Sequence, residues 1–191
     1  MHLFPNSRVF ISFGSLQIAW YAVLILTGAL CAYLLCQRTM KKWSYAPEVL
    51  DDYVVPMLFI GILGARLWYV IFEWSYYSQH LNEIIAIWNG GLAIHGGLIA
   101  GFLFSLFYFK HKNISFLRMF DLIMPTVLLA QAFGRWGNFM NQEAYGGIVS
   151  ESFFAHYPAF IKNQMFIDGH YRMPTFLFES IGTLSGFILV M

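Results

Sequence analysis

The sequence predicts an all-α, polytopic membrane helix bundle, and three observations carry that prediction. Only 11% of its 191 residues are charged, less than half the roughly 25% of a soluble domain. Hydrophobic residues make up 59% of the chain and aromatic residues 19%. Finally, the apolar residues fall in long blocks, five of which approach the roughly 20 residues that a spanning helix needs.

The first block, LQIAWYAVLILTGALCAYLLC (16–36), is long enough by itself. The second, VVPMLFIGILGARLWYVIF (54–72), qualifies despite Arg66, and the third, GGLAIHGGLIAGFLFSLFYF (90–109), despite His95. The fourth, LIMPTVLLAQAFG (122–134), is short. It is expected to borrow preceding residues, giving a span over about 120–134 that breaks or kinks near Pro125. The fifth, about 175–191, is still apolar at Met191, so the chain is expected to stop inside a span. Between the fourth and fifth blocks, residues 135–173 are too polar for a span and too aromatic for a bare linker. A small cap or interfacial arm is expected there. No repeat or low-complexity tract divides the chain, which reads as one membrane domain over 1–191.

Basic residues set the expected orientation. Arg38, Lys41 and Lys42 follow the first block, and Lys110, Lys112 and Arg118 follow the third. The alternate segments carry only Lys162 and Arg172. The positive-inside rule then places the N-terminus and residues 135–173 outside, and the two basic loops in the cytoplasm. The start, MHLFPNSR, lacks the charged head and early apolar core of a cleaved leader, so the first block is read as retained. A net charge of +1 with no basic tract argues against a nucleic-acid partner. Cys31 and Cys36 stand five apart, a spacing that suits neither a zinc pair nor a redox C-x-x-C, and read as buried, unreactive thiols. Gly97 with Gly101, and Gly182 with Gly186, have the small-xxx-small spacing of close helix packing in lipid.

Against this apolar background the polar residues converge. At a rise of about 1.5 Å per residue, Tyr21, Arg66 and His95 each lie roughly 8–9 Å below the outer ends of their spans. GRWGNFMNQEAYG (134–146) brings Arg135, Asn138, Asn141, Gln142 and Glu143 to the outer end of the fourth. Ionisable residues within spans are expensive and face a bundle interior or cavity. Arg66 also has a bland reading as a partner of Glu73, His95 as a neutral histidine on a backbone carbonyl, Arg135 as an interfacial anchor, and Tyr21 as an aromatic-belt residue. Two guanidinium groups at headgroup depth suit an anion, since each binds phosphate oxygens bidentately. The glycines around His95, Gly96 and Gly97 among them, are expected to leave room for a headgroup. The residues alone therefore point to a phospholipid phosphate in a lateral cavity, with an imidazole close by.

These stretches also carry a family resemblance. HGGLIAG (95–101) followed by GRWGNFMNQEAYG resembles the two signatures of the prolipoprotein diacylglyceryl transferases. WY early in the first block, GAR (64–66), WNGGLAIHGG (88–97) and YRMPTFLFES (171–180) fit that family in order and spacing. The resemblance implies a multi-pass protein of the bacterial cytoplasmic membrane, with its active site on the outer side. It implies transfer of the diacylglyceryl group of phosphatidylglycerol to the lipobox cysteine in the signal peptide of a prolipoprotein, with glycerol phosphate leaving. Arg135 corresponds to the phosphatidylglycerol-binding arginine and His95 to the histidine of the first signature. Tyr21, Asn138, Glu143 and Gly146 match further positions important for activity. The family continues for two more spans, about seven in all, and bears a further arginine motif there.

The chemistry agrees with this reading. A thiol of pKa about 8.5 must lose its proton to attack well, and His95 has the intrinsic pKa of a base near neutrality. Arg135, with Arg66, would stabilise the departing phosphate, so neither metal nor cofactor is called for. Glu143 is expected to fix an arginine or the amide loop. A truncated, non-catalytic relative that still binds phosphatidylglycerol is the alternative. An anion or proton transporter fits less well, because the inner halves of the spans are almost wholly apolar.

Overall fold

The computed structural model describes residues 8–14 and 16–191, Leu16 by its backbone alone. The N-terminal stretch examined for a leader thus lies almost entirely outside the described residues. All five expected blocks form helices: α1 (Trp20–Lys42), α2 (Glu48–Phe72), α4 (Ile94–His111), α5 (Phe116–Asn141) and α7 (Thr175–Val190). Short helices α3 (Trp74–Tyr77) and α6 (Ala159–Gln164) lie in the connections. The protein is an all-α membrane protein, and α1, α2 and α5 are long and apolar enough to cross a bilayer by length and composition. The fifth expected span, α7, has only 16 helical residues. Lipid suits the surface as well as the lengths: Leu63, Leu67, Leu98 and Phe107 are 65%, 61%, 66% and 70% exposed. The chain forms two compact units, Thr39–Asp121 and the segment ending at Arg38 together with Leu122–Met191.

In the unit spanning 39–121, α2 and α4 run antiparallel along a seam of small residues. A Cβ added to Gly64 would stand 2.6 Å from the Gly96 carbonyl oxygen and would also meet Ala100. One added to Gly96 would collide with the Gly64 carbonyl and Trp68, and one on Gly97 would lie 3.2 Å from the Gly61 oxygen. Backbone thus packs on backbone, the arrangement that small residues permit in lipid. Farther along, Ser105 donates to the Gly101 carbonyl at 2.6 Å and sits 2.7 Å from the Tyr53 hydroxyl, so both buried polar groups are satisfied.

The α2–α4 connection folds around Arg66. That side chain is 6% exposed, and four of its five N–H groups donate to backbone carbonyls. Nε reaches Ile84 at 2.7 Å, Nη2 reaches Glu83 at 2.6 Å, and Nη1 reaches Gly90 at 2.8 Å and Gly91 at 3.0 Å. The rings of Tyr77 and Tyr69 lie 5.1 and 6.0 Å from the guanidinium carbon. Glycine is required at 90 and 91, where φ is 88° and 73°. At Gly91 a Cβ would also press on Arg66 Nη1, 2.5 Å away. The loop closes on α2 through the Ala93 N–H and the Ala65 carbonyl (3.0 Å), and α4 then begins at Ile94, not at 90 as the apolar run suggests. On the loop surface the Tyr76 hydroxyl donates to the Glu83 carboxylate, which holds the phenol above its usual pKa.

In the other unit, strands β1 (Val9–Phe13) and β2 (Leu16–Ala19) form an antiparallel hairpin. The first apolar block is therefore extended over its first four residues and helical only from Trp20. The reason is local: VFISF supplies a pairing partner, and Gly14 supplies the turn at φ 60°. α1 then packs antiparallel on α5, with Tyr21 on Gly137, Gly28 on Ala130 and Phe133, and Cys36 against Thr126. α5 runs unbroken through Pro125 and continues to Asn141, so Arg135 lies within the helix and not in the segment that follows it. Packing along α1 outweighs the one hydrogen bond that proline removes. A Cβ added to Gly186 of α7 would meet Leu128 at 3.4 Å, whereas one added to Gly182 would have nothing within 4 Å, so that glycine pair is only half used in packing.

Residues 142–174, most of the segment expected to form a cap or arm, fold as a small layer on the ends of α5 and α7, called the cap below. Strands β3 (Phe166–Ile167) and β4 (His170–Tyr171) pair across Asp168-Gly169, whose φ values of 53° and 79° are those of a two-residue hairpin turn. The cap has its own core: Phe139 and Met140 of α5, Phe154, Ile161, Met165, Ile167, and Phe176 of α7. Phe139 and Phe176 stack at 4.3 Å, and Trp136 meets Phe176 edge-on at 5.2 Å. On its surface Lys162 and Glu151 pair at 2.6 Å, which lowers the pKa of the carboxyl and raises that of the ammonium.

Two stability outcomes follow from these contacts. Gly96→Ala forces α2 and α4 apart and is expected to cost about 1–3 kcal/mol, whereas Gly182→Ala is neutral or slightly stabilising; thermal midpoints in detergent compare them. Equal midpoints would contradict the seam. Arg66→Lys keeps the charge but cannot reach carbonyls on both sides of the loop, and is expected to cost about 2–4 kcal/mol. Limited proteolysis should then show cleavage within residues 78–92 that the parent protein resists.

Candidate functional site

The signature stretch is held where α5 ends, and its geometry starts with backbone carbonyls. The Glu143 N–H donates to Asn138 O at 3.0 Å and the Gln142 N–H to Phe139 O at 3.2 Å, closing the helix with Gln142 in the left-handed region at φ 55°. Glycine is usual at that position. Here the Gln142 side chain is fixed instead, through Nε2 to the Gln164 carbonyl at 2.8 Å. Gln164, 8% exposed, donates in turn to the Phe139 and Met140 carbonyls at 3.1 and 3.2 Å. This glutamine clasp satisfies the helix end and ties it to α6.

Arg135, two turns before that end, is half-buried. Its Nη2 pairs with Glu179 Oε2 of α7 at 2.6 Å, and its Nη1 reaches Asn138 Oδ1 at 3.4 Å. The Asn138 amide is oriented from its other side, since Nδ2 donates to Glu143 Oε1 at 3.0 Å. Asn141 donates to the same oxygen at 3.3 Å. Glu143 thus holds the amides, one of the two roles expected for it, while the carboxylate on Arg135 is Glu179. Glu179 lies within FLFES, where the sequence suggested no role for it. The signal was present: it is the one acidic residue in the fifth apolar block, and an ionisable group there is as costly as Arg66 or His95 in theirs.

The remaining expected residues are placed as follows. Tyr21 lies in the first turn of α1 with its ring on Gly137, where an added Cβ would come within 2.7 Å, so it braces the helix turn between Arg135 and Asn138. Gly146 lets the loop approach the strand leading to α7: its N–H donates to Met173 O at 3.0 Å, and a Cβ there would stand 2.9 Å from Met173 Cβ. Ala144, at φ 52°, holds its carbonyl to the Thr175 hydroxyl at 2.7 Å. In the other unit, His95 is the second residue of α4 and exposed, without a hydrogen-bond partner among the described residues. It sits at the helix start, and not a turn and a half inside it, because residues 90–93 are loop. Gly96 and Gly97, expected to open space for a headgroup, face α2 at contact distance. Among the described residues Arg66 pairs not with Glu73 but with the loop carbonyls.

Chemically, the cluster around Arg135 combines an accessible guanidinium, a carboxylate that shares it, and an amide whose donor and acceptor ends are fixed. That is equipment for binding an oxyanion. Comparison with known proteins supplies the family. The family described as prolipoprotein diacylglyceryl transferase matches residues 8–191. The phosphatidylglycerol–prolipoprotein diacylglyceryl transferase of Lactococcus lactis subsp. lactis (strain IL1403) is 54% identical over 194 residues, covering 100% of this chain and 73% of that protein. The enzymes of the same name from Streptococcus uberis and Streptococcus pyogenes serotype M1 are 50% and 49% identical, over 95% and 93% of this chain and 70% and 68% of their own lengths. With a match over nearly its whole length and relatives about half identical to it, this chain belongs to the prolipoprotein diacylglyceryl transferase family.

Proposed function

We propose that this protein transfers the diacylglyceryl group of phosphatidylglycerol to the lipobox cysteine of bacterial prolipoproteins. It works in the cytoplasmic membrane, with its N-terminus and the end of α5 on the outer side. The observation that carries this reading is Arg135, accessible within the signature stretch and held by Glu179 and Asn138. The membrane family and the names of its relatives support it.

In the reaction the cysteine sulfur attacks the glyceryl carbon that bears the phosphate. A C–S bond forms as that C–O bond breaks, and glycerol phosphate departs with the electron pair. Arg135 stabilises the charge gathering on the leaving phosphate, and Asn138 adds a neutral contact whose direction Glu143 fixes. To His95, exposed and without a hydrogen-bond partner among the described residues, we assign receipt of the thiol proton. Tyr21, Gly137 and Gly146 maintain the backbone geometry around Arg135. Arg66 shapes the 73–93 loop, and its guanidinium is taken up by that task.

The test combines the purified protein with a lipobox peptide and phosphatidylglycerol, and reads the diacylglyceryl adduct by mass spectrometry. The adduct is expected with the parent protein and absent with Arg135→Ala, which should also weaken phosphatidylglycerol binding at least about tenfold. His95→Gln is expected to slow transfer by about a hundredfold or more with lipid binding retained. Near-normal turnover in that variant would remove His95 as the base. Lipid binding without any adduct would identify a binding protein that does not catalyse.

A further inference from the structure

We propose that Glu179 is the counter-ion an anionic lipid phosphate displaces from Arg135, and that it sets how tightly the site holds that phosphate. The inference rests on the assignment of Arg135 to the phosphate group of phosphatidylglycerol.

The two flanks of the guanidinium are unequal. On one side Glu179 Oε2 stands 2.6 Å from Nη2; on the other, Asn138 Oδ1 stands 3.4 Å from Nη1. The arginine therefore has one close anionic partner and one long neutral contact. The side chains of Arg135 and Glu179 are 36% and 45% exposed, so a lipid headgroup can reach both. Carboxylate and phosphate compete for the same planar set of donors. With both carboxylates ionised, Arg135, Glu179 and Glu143 together carry a charge of −1, and a phosphodiester adds another. Strong binding requires one carboxylate to withdraw. Glu143 is held in place by two amides, from Asn138 and Asn141. The carboxylate of Glu179 has Arg135 as its partner among the described residues.

Withdrawal asks little of the fold. The backbone of Glu179 is fixed in the second turn of α7, where its carbonyl accepts the Thr183 hydroxyl at 2.9 Å. The helix itself is anchored by Phe176 on Phe139 and Trp136. Rotation of one side chain frees the guanidinium, and the reverse rotation returns a charge partner when glycerol phosphate leaves. A carboxylate placed this way keeps the arginine paired between turnovers and favours release of the product.

This role has a signature opposite to that of a merely structural ion pair, whose loss would weaken lipid binding. Equilibrium binding of radiolabelled phosphatidylglycerol to the purified full chain, in micelles diluted with phosphatidylcholine, distinguishes them. Glu179→Gln is expected to bind phosphatidylglycerol about three- to tenfold tighter, with phosphatidylcholine competition unchanged. In an Arg135→Gln background the same substitution should change binding by less than about twofold, since nothing remains to compete for. Glu179→Asp, which keeps the charge, should bind close to the parent protein, and thermal midpoints report folding of each variant. If Glu179→Gln is unstable, tighter binding in Glu179→Ser takes its place as the deciding result. Unchanged or weaker binding in a folded neutral variant overturns the inference. So does tightening that persists undiminished without Arg135. If Arg135→Gln itself binds phosphatidylglycerol normally, the assignment of Arg135 falls and this inference with it.

Discussion

Backbone carbonyls left unpaired where apolar helices end are what this chain can least accommodate, and its two most committed polar side chains answer that need. A backbone carbonyl buried away from water is costly unless a donor reaches it, at a loop as at a helix end. Arg66 gathers the carbonyls of Glu83, Ile84, Gly90 and Gly91 so that a loop can leave α2 and enter α4. Gln164 does the same for Phe139 and Met140 at the end of α5. Both are buried, both donate to more than one carbonyl, and each fixes the segment that follows. The position of every polar group in the signature stretch depends on where α5 is made to stop.

Glycine supplies the complementary condition. Along α2 and α4, and along α1 and α5, glycines let helices approach until backbone or ring meets backbone. With no hydrophobic driving force between helices in lipid, such close packing is a main source of association energy. The contact of Tyr21 with Gly137 extends this packing into the site, since Gly137 lies between Arg135 and Asn138 on α5. A glycine in a functional signature is therefore not evidence of space for ligand. Gly96 and Gly97 stand beside His95 in sequence, yet what they admit is α2.

The electrostatics of the site follow from these supports. Arg135 is offered on a rigid helix, balanced by a carboxylate on α7 and steadied by an amide that Glu143 orients. A guanidinium without a counter-ion would hold any anion it met, and one with two fully ordered carboxylates would hold none. The observed inequality, one close carboxylate and one distant amide, lies between those limits. Under the proposed assignment of Arg135, it suits a site that binds an anionic lipid and then releases an anionic product.

Composition and block length alone determined that the chain is an all-α membrane protein, because the bilayer's thickness fixes how many apolar residues a helix must supply. The signatures at 95–101 and 134–146 were legible for a similar reason: polar residues inside apolar blocks stand out, and their order matched one family. The ends of the helices were not legible. Residues 16–19 became a strand because 9–13 pair with them, α4 began late because residues 90–93 turn around Arg66, and α5 outran its apolar block because the cap core covers Phe139 and Met140. The first depends on a neighbouring strand and the other two on partners tens of residues away, and local hydrophobicity registers neither. The same limit applies to roles. Sequence showed that Arg66 and Arg135 were unusual; only tertiary structure decided that one is enclosed by carbonyls while the other faces Glu179, 44 residues away, as an accessible ion pair.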